Sequence, residues 1–169
     1  MKIVISDTTA LITFAKSDIL FLLDNLFETV YIPDAVHDEL IIKDDIVKYR
    51  IDAFDKISVK AVSDLSILKR IKNYKIDRGE TEAIALALEL RLKLIIDERK
   101  GRQVALSQGV SIVGVLGILI ENYRQGFIGV DDAQYYFERV KRNGLRIDKK
   151  LENVFFDRLK ESDMDRKAL

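Results

Sequence analysis

The sequence contains no cysteine, a single histidine (His37) and a single proline (Pro33). Without cysteine there is no disulfide framework, no thiolate-bound zinc or iron–sulfur cluster and no thiol nucleophile. One histidine argues against a Ser-His-Asp relay or a multi-histidine metal centre, and His37 itself reads as structural rather than as a ligand. An excess of one charge is missing too: 28 Lys and Arg balance 28 Asp and Glu, so no overall basic balance points to nucleic acid. No apolar run approaches the roughly 20 residues of a membrane helix. The N-terminal run meets Asp7 too soon for a signal peptide. The expectation is a soluble, cytoplasmic protein. What is present is a chain of 169 residues, 48% of them hydrophobic, enough for one domain with its own core. For chemistry, carboxylates remain.

Strand and helix signals alternate along the chain. Short Ile- and Val-rich runs at residues 2–6, 29–32, 57–62, 94–96 and 110–113 read as buried strands. Between them lie helical stretches at about 10–15, 19–26, from Pro33 onward, 45–56, 64–72, from Glu80 onward and 98–108. Pro33 is expected at a first helical position, where its missing N–H costs nothing. Ala83, Ile84, Leu86, Ala87, Leu88 and Leu90 leave the helix after Glu80 little polar surface, so it should be buried on most sides. Helices at about 115–124, 131–142 and 148–160 complete the chain. This alternation argues for a parallel sheet with helices on both faces. The tail after Glu161 is polar and is expected to fray.

Two of the strands end in aspartate, Ile3-Val4-Ile5-Ser6-Asp7 and Leu94-Ile95-Ile96-Asp97. In an open parallel sheet, ligands bind in the crevice beyond the carboxyl ends of the strands, so Asp7 and Asp97 would converge there. Each also has a plain reading: Asp7 suits a helix cap. Gly79-Glu80-Thr81-Glu82 opens the apolar helix, and acids near a helix N-terminus are favourable by about 0.3–1 kcal/mol. Glu80 and Glu82 cannot share a face, because helical neighbours lie three or four apart. Glu82 is the preferred site residue and Glu80 the alternative. Glu39, in Pro33-Asp34-Ala35-Val36-His37-Asp38-Glu39-Leu40, is the fourth candidate, although alone it reads as an exposed helix glutamate. Carboxylates gathered at one edge repel one another unless a cation sits among them. Oxygen-only donors suit Mg²⁺ or Mn²⁺, which commonly serve phosphoryl chemistry.

In order along the chain, these residues resemble the PIN-domain family of metal-dependent ribonucleases. Ile5-Ser6-Asp7-Thr8-Thr9-Ala10-Leu11 is similar to its opening strand, aspartate and small hydroxyl residue. Tyr31-Ile32-Pro33 with Val36 and Glu39-Leu40 resembles the second acidic motif. Gly79-Glu80-Thr81-Glu82-Ala83-Ile84-Ala85-Leu86-Ala87 resembles the third, with glutamate at position 82 where most relatives carry aspartate. Leu94-Ile95-Ile96-Asp97-Glu98-Arg99 resembles the fourth. The Gly-Glu-x-Glu-Ala-Ile pattern with Ile96-Asp97-Glu98-Arg99-Lys100-Gly101-Arg102 points to a less-characterised bacterial and archaeal branch.

The resemblance implies a three-layer α/β/α fold with a mainly parallel sheet over residues 1–126. A helical extension at 127–161 would pack on it, and 162–169 would form the polar tail. It implies one or two Mg²⁺ or Mn²⁺ ions on Asp7, Glu39, Glu82 and Asp97, which would also be the catalytic residues of an endoribonuclease. Ser6, Thr8 and Thr9 would support the ligands. A role as the toxin of a toxin–antitoxin pair, an antitoxin partner and a homodimer are implied as well.

For RNA, the basic run Arg99, Lys100 and Arg102 lies just after Asp97, and Arg78 adds a further cation. A second basic group, Arg139, Lys141, Arg142, Arg146, Lys149 and Lys150, would lengthen an RNA track or serve packing. Tyr135, Tyr136, Phe137, Phe155 and Phe156 read as core rather than as stacking platforms. Two other functions fit the carboxylates: a catalytically inactive PIN-like module binding RNA or protein, and a receiver-like phosphotransfer domain using Asp7 and a metal. The second lacks an aspartate ending the strand at 57–62.

Overall fold

A computed structural model describes residues 2–168. They form β1 (Ile3–Ser6), α1 (Thr8–Lys16), α2 (Phe21–Asp24), β2 (Thr29–Ile32), α3 (Asp34–Ile41), α4 (Ile46–Ala53), β3 (Ile57–Val59) and α5 (Leu65–Lys72). Then follow α6 (Arg78–Leu90), β4 (Leu94–Ile95), α7 (Arg99–Ser107), β5 (Ile112–Val113), α8 (Val115–Arg124), α9 (Val130–Arg142) and α10 (Lys149–Ala168). All strand pairs are parallel, in the order β3-β2-β1-β4-β5. The expected three-layer α/β/α architecture is observed.

This order fixes the crevice. From β1 the chain steps outward to β2 and β3, then crosses back to β4 and continues to β5. Right-handed crossovers place the helices of these two legs on opposite faces of the sheet. The chains leaving β1 and β4 therefore part to opposite sides, and the gap between the strand ends is the topological switch point. Asp7 directly follows β1, and Asp97 lies two residues past the end of β4. The receiver-like alternative expects the order 2-1-3-4-5, so the topology excludes it.

The strands are short because their ends are spent on the crevice and the caps. Val4, Ile5, Val30, Ile32, Leu94 and Ile95 are buried, and Phe14, Leu22, Leu23, Ile84 and Leu86 pack around them. Aspartates start the helices: Asp7, Asp45, Asp64 and Asp77 each accept backbone N–H bonds from the first turn they precede. Pro33 is the extended residue just before α3 rather than its first helical residue. The helix expected at 19–26 is a single turn, Phe21–Asp24, flanked by 3₁₀-like turns, because buried Ile19, Leu22, Leu23 and Leu26 follow the core rather than one helical face.

The tail does not fray as expected. α10 continues to Ala168 and packs on α8. Phe155, stacked 4.8 Å from Phe137, and Leu159 are buried. Tyr123 donates a 3.0 Å bond to Asp163, and the Arg166 guanidinium lies 4.9 Å over the Tyr123 ring. Polar residues here hold tertiary contacts that composition alone cannot reveal. Among the described residues no helix is long and apolar enough to cross a membrane.

Candidate metal centre

Asp7 sits at the end of the central strand, only 1% exposed. Its Oδ1 accepts a 2.9 Å bond from the Ala10 N–H and so caps α1. Its Oδ2 is buried and has no partner, and neither does the buried hydroxyl of Thr8 beside it. Buried polar atoms are almost always paired, so two orphaned oxygens on adjacent residues mark a place built for something else. Burial, opposed by the Ala10 bond and aided by the charges of Asp97, Glu80 and Asp77, pushes the Asp7 carboxyl up to about 8.

Asp97 reaches the same crevice differently. α8 begins after Gly114, which has no side chain to cap it, and Asp97 Oδ2 supplies the acceptor, 2.9 Å from the Val115 N–H. A Cβ on Gly114 would stand 2.5 Å from Asp97 Oδ1, so the glycine is what lets the carboxylate in. Burial raises the Asp97 carboxyl, against the Val115 bond and the nearby Arg102 charge. Arg102 is held there by a 2.7 Å bond from Nη1 to the Ile96 carbonyl.

The third carboxylate is Glu80. It is 7% exposed, and it packs over Gly101 of α7, where a Cβ would come within 3.2 Å of its Cδ and Oε1. Burial and the charges of Asp77, Glu98 and Glu39 push it up to about 7, although the Asp77 contact at the helix start works the other way. Glu39, exposed on α3, turns its Oε1 toward Gly79, where a Cβ would meet it at 2.8 Å and Thr8 Oγ1 at 3.0 Å. Asp7, Asp97, Glu80 and Glu39 thus come from four elements to one sheet edge.

The structure places Glu82, the preferred candidate, on another side of α6 from Glu80. It lies with Leu68, Lys72, Ile76, Arg78 and Thr81 around a separate cavity of about 380 Å³ between α5 and α6. Its Oε2 is buried, 3.0 Å from Arg78 Nε, and, like Asp7 Oδ2, has no hydrogen-bond partner. Two residues along a helix turn a side chain by more than half a circle; with Glu80 facing Asp7, Glu82 must face α5. Nothing in the sequence alone said which face was which.

The remaining expected residues divide. Thr8 is at the centre, Ser6 is buried and donates to the Asp7 carbonyl, and Thr9 is exposed. Of the RNA-contact candidates, Arg102 is pinned beside Asp97. Arg78 pairs with Glu82 and Asp38, while Arg99 and Lys100 are exposed on α7. Half-buried His37 lies 3.9 Å from Asp38, away from the cluster. Sequence reasoning missed Gly79, Gly101 and Gly114; the only signal was that each adjoins or faces an acidic motif.

The donor set fits a hard divalent ion: oxygen only, one carboxylate oxygen and one hydroxyl left unsatisfied, and carboxyls that raise one another's proton affinity. Among the described residues no three His, Cys, Asp or Glu side chains are gathered into a ready-made ligand set.

A family model described as a PIN domain matches residues 3–161, nearly the whole chain. No curated protein matches it.

Proposed function

The chain belongs to the PIN-domain family, and on that premise we propose that it is a Mg²⁺- or Mn²⁺-dependent endoribonuclease. PIN domains are generally nucleases that use divalent ions. The finer reading adds RNA as substrate, and a role as the toxin of a toxin–antitoxin pair, acting in the cytoplasm as a homodimer restrained by an antitoxin protein. The observation that supports the catalytic part is the unsatisfied Asp7 Oδ2, buried next to the unsatisfied Thr8 hydroxyl on a carboxyl that feels the charges of Asp97 and Glu80.

Asp7, Glu80 and Asp97 would hold the ion, with Glu39 entering over Gly79. When bound, such an ion lowers the pKa of water and offsets charge on the phosphate oxygens. The chain's own residues do the rest. Gly79 and Gly101 keep the backbone low, so that carboxylates of α3 and α6 reach the crevice. Thr8 Oγ1 is free to orient a carboxylate or a water. Arg102, fixed to the Ile96 carbonyl, holds positive charge beside Asp97 where an anionic strand would pass.

The competing reading, a catalytically inactive module binding RNA or protein, is favoured by the lack of a ready-made three-group ligand set among the described residues. Incubation of the purified protein with single-stranded RNAs and Mn²⁺, with and without chelator, separates the two. The nuclease reading expects cleavage that stops with chelator and with Asp7→Asn. Failure to cleave any of a varied set of RNAs favours the binding module.

A further inference from the structure

A second cavity shares Glu39 with the acidic crevice. It holds about 70 Å³ and lies between α1, α3 and α4, lined by Ile12, Lys16, Glu39, Leu40, Lys43, Asp45 and Val47. Glu39 is the shared wall: its carboxyl turns toward Gly79 and Thr8, and its helix forms one side of this cavity. Lys16 ends α1, and Lys43 follows the end of α3.

Both lysines are exposed, and among the described residues neither has an acidic partner within 4.0 Å. Asp45, on the wall, is already engaged, because its Oδ1 accepts the N–H groups of Val47 and Lys48. Glu39 is drawn the other way. Arg50 staples α4 to the last turn of α1 through a 2.7 Å bond to the Ala15 carbonyl, so the two sides of the cavity are fixed together. Two lysines without an acidic partner among the described residues thus line one small recess, whose wall includes a member of the carboxylate cluster that would otherwise repel a polyanion.

We propose that Lys16 and Lys43 form a phosphodiester-binding subsite, which holds a neighbouring phosphate of a single RNA strand on the α1–α4 side of the acidic crevice. The subsite rests on the nuclease reading for its substrate. Lysine suits the task as a point charge for phosphate that carries no sequence information, so the subsite positions a strand without choosing its bases.

The test is binding of a fluorescein-labelled single-stranded RNA of mixed sequence to full-length protein, across a salt series. An Asp7→Asn background prevents cleavage. Lys16→Gln with Lys43→Gln keeps most of each aliphatic stem and removes both charges. The proposal expects binding weakened about tenfold at moderate salt and a log–log salt slope shallower by about 1.4, two contacts at ~0.7 each. Arg158→Gln with Lys160→Gln, on exposed positions of α10, removes the same charge elsewhere and should leave slope and affinity close to the background. Equal binding by the Lys16/Lys43 variant, or equal loss in the α10 variant, overturns the subsite. Whether wild-type protein cleaves RNA with Mn²⁺ is scored separately, so the nuclease reading can fail while the binding result still decides the lysines.

Discussion

The Glu39 carboxylate occupies the space that a side chain at Gly79 would need: a Cβ there would lie 2.8 Å from Glu39 Oε1. The helix that carries Glu80 is therefore open at its second residue so that an acid from α3 can reach across it. Gly101 stands in the same relation to Glu80, and Gly114 to Asp97. Three glycines, two within helices and one just before α8, each make room for one acid.

Gly79→Ala should separate site from stability. Alanine favours a helix over glycine by up to about 1 kcal/mol, and the clashing atoms belong to the flexible end of Glu39. The melting temperature should stay level or rise by about 2–4 °C, while Mn²⁺-dependent cleavage falls at least about tenfold as Glu39 is displaced. Calorimetry and an RNA cleavage time course check both.

Asp7→Asn should stabilise the metal-free protein in a pH-dependent way. The Asp7 carboxyl titrates near 8 when folded, far above its ordinary 3.8. A raised folded pKa means its contribution is fully present below about 4 and is lost as pH rises through 8. Asparagine can keep the Ala10 cap bond without the charge. Metal-free Asp7→Asn should melt several degrees above wild type at pH about 8.5 and close to it at pH about 4. Adding Mn²⁺ should raise the wild-type melting temperature and not the variant's, since an ion at about 100 times its Kd stabilises by ~2.7 kcal/mol.

Glu80→Gln and Glu82→Gln should behave oppositely despite their adjacency. The first removes a carboxyl facing Asp7 and should cut cleavage by about 100-fold or more. The second loses an ion pair with a largely exposed Arg78, worth about 0–1 kcal/mol, and should leave cleavage within about threefold. Comparable losses in both would return Glu82 to the site.

Phe155→Ala should destabilise the whole protein by about 3–5 kcal/mol. Phe155 is 1% exposed and stacks on Phe137, so α9 and α10 share the core rather than hang from it. Urea unfolding should show one transition, shifted to lower concentration. Two transitions, with the first removed by truncation before α9, would mean that the extension folds apart.

Residue patterns alone determined much here. The Ile- and Val-rich runs placed all five strands, Asp7 and Asp97 followed from strand ends, and the missing cysteine and near-missing histidine left carboxylates as the chemistry. The zero net charge averaged opposites: an acidic crevice, and lysines and arginines beside it. Tertiary structure alone decided the rest. Whether Glu80 or Glu82 faces Asp7 depends on how α6 is rotated against β1, α5 and α7, and an apolar helix buried on most sides carries no periodicity to fix that rotation. That Gly79, Gly101 and Gly114 matter depends on which carboxylate comes near from a distant element. Lys16 and Lys43 become a pair only because α1, α3 and α4 close around Glu39.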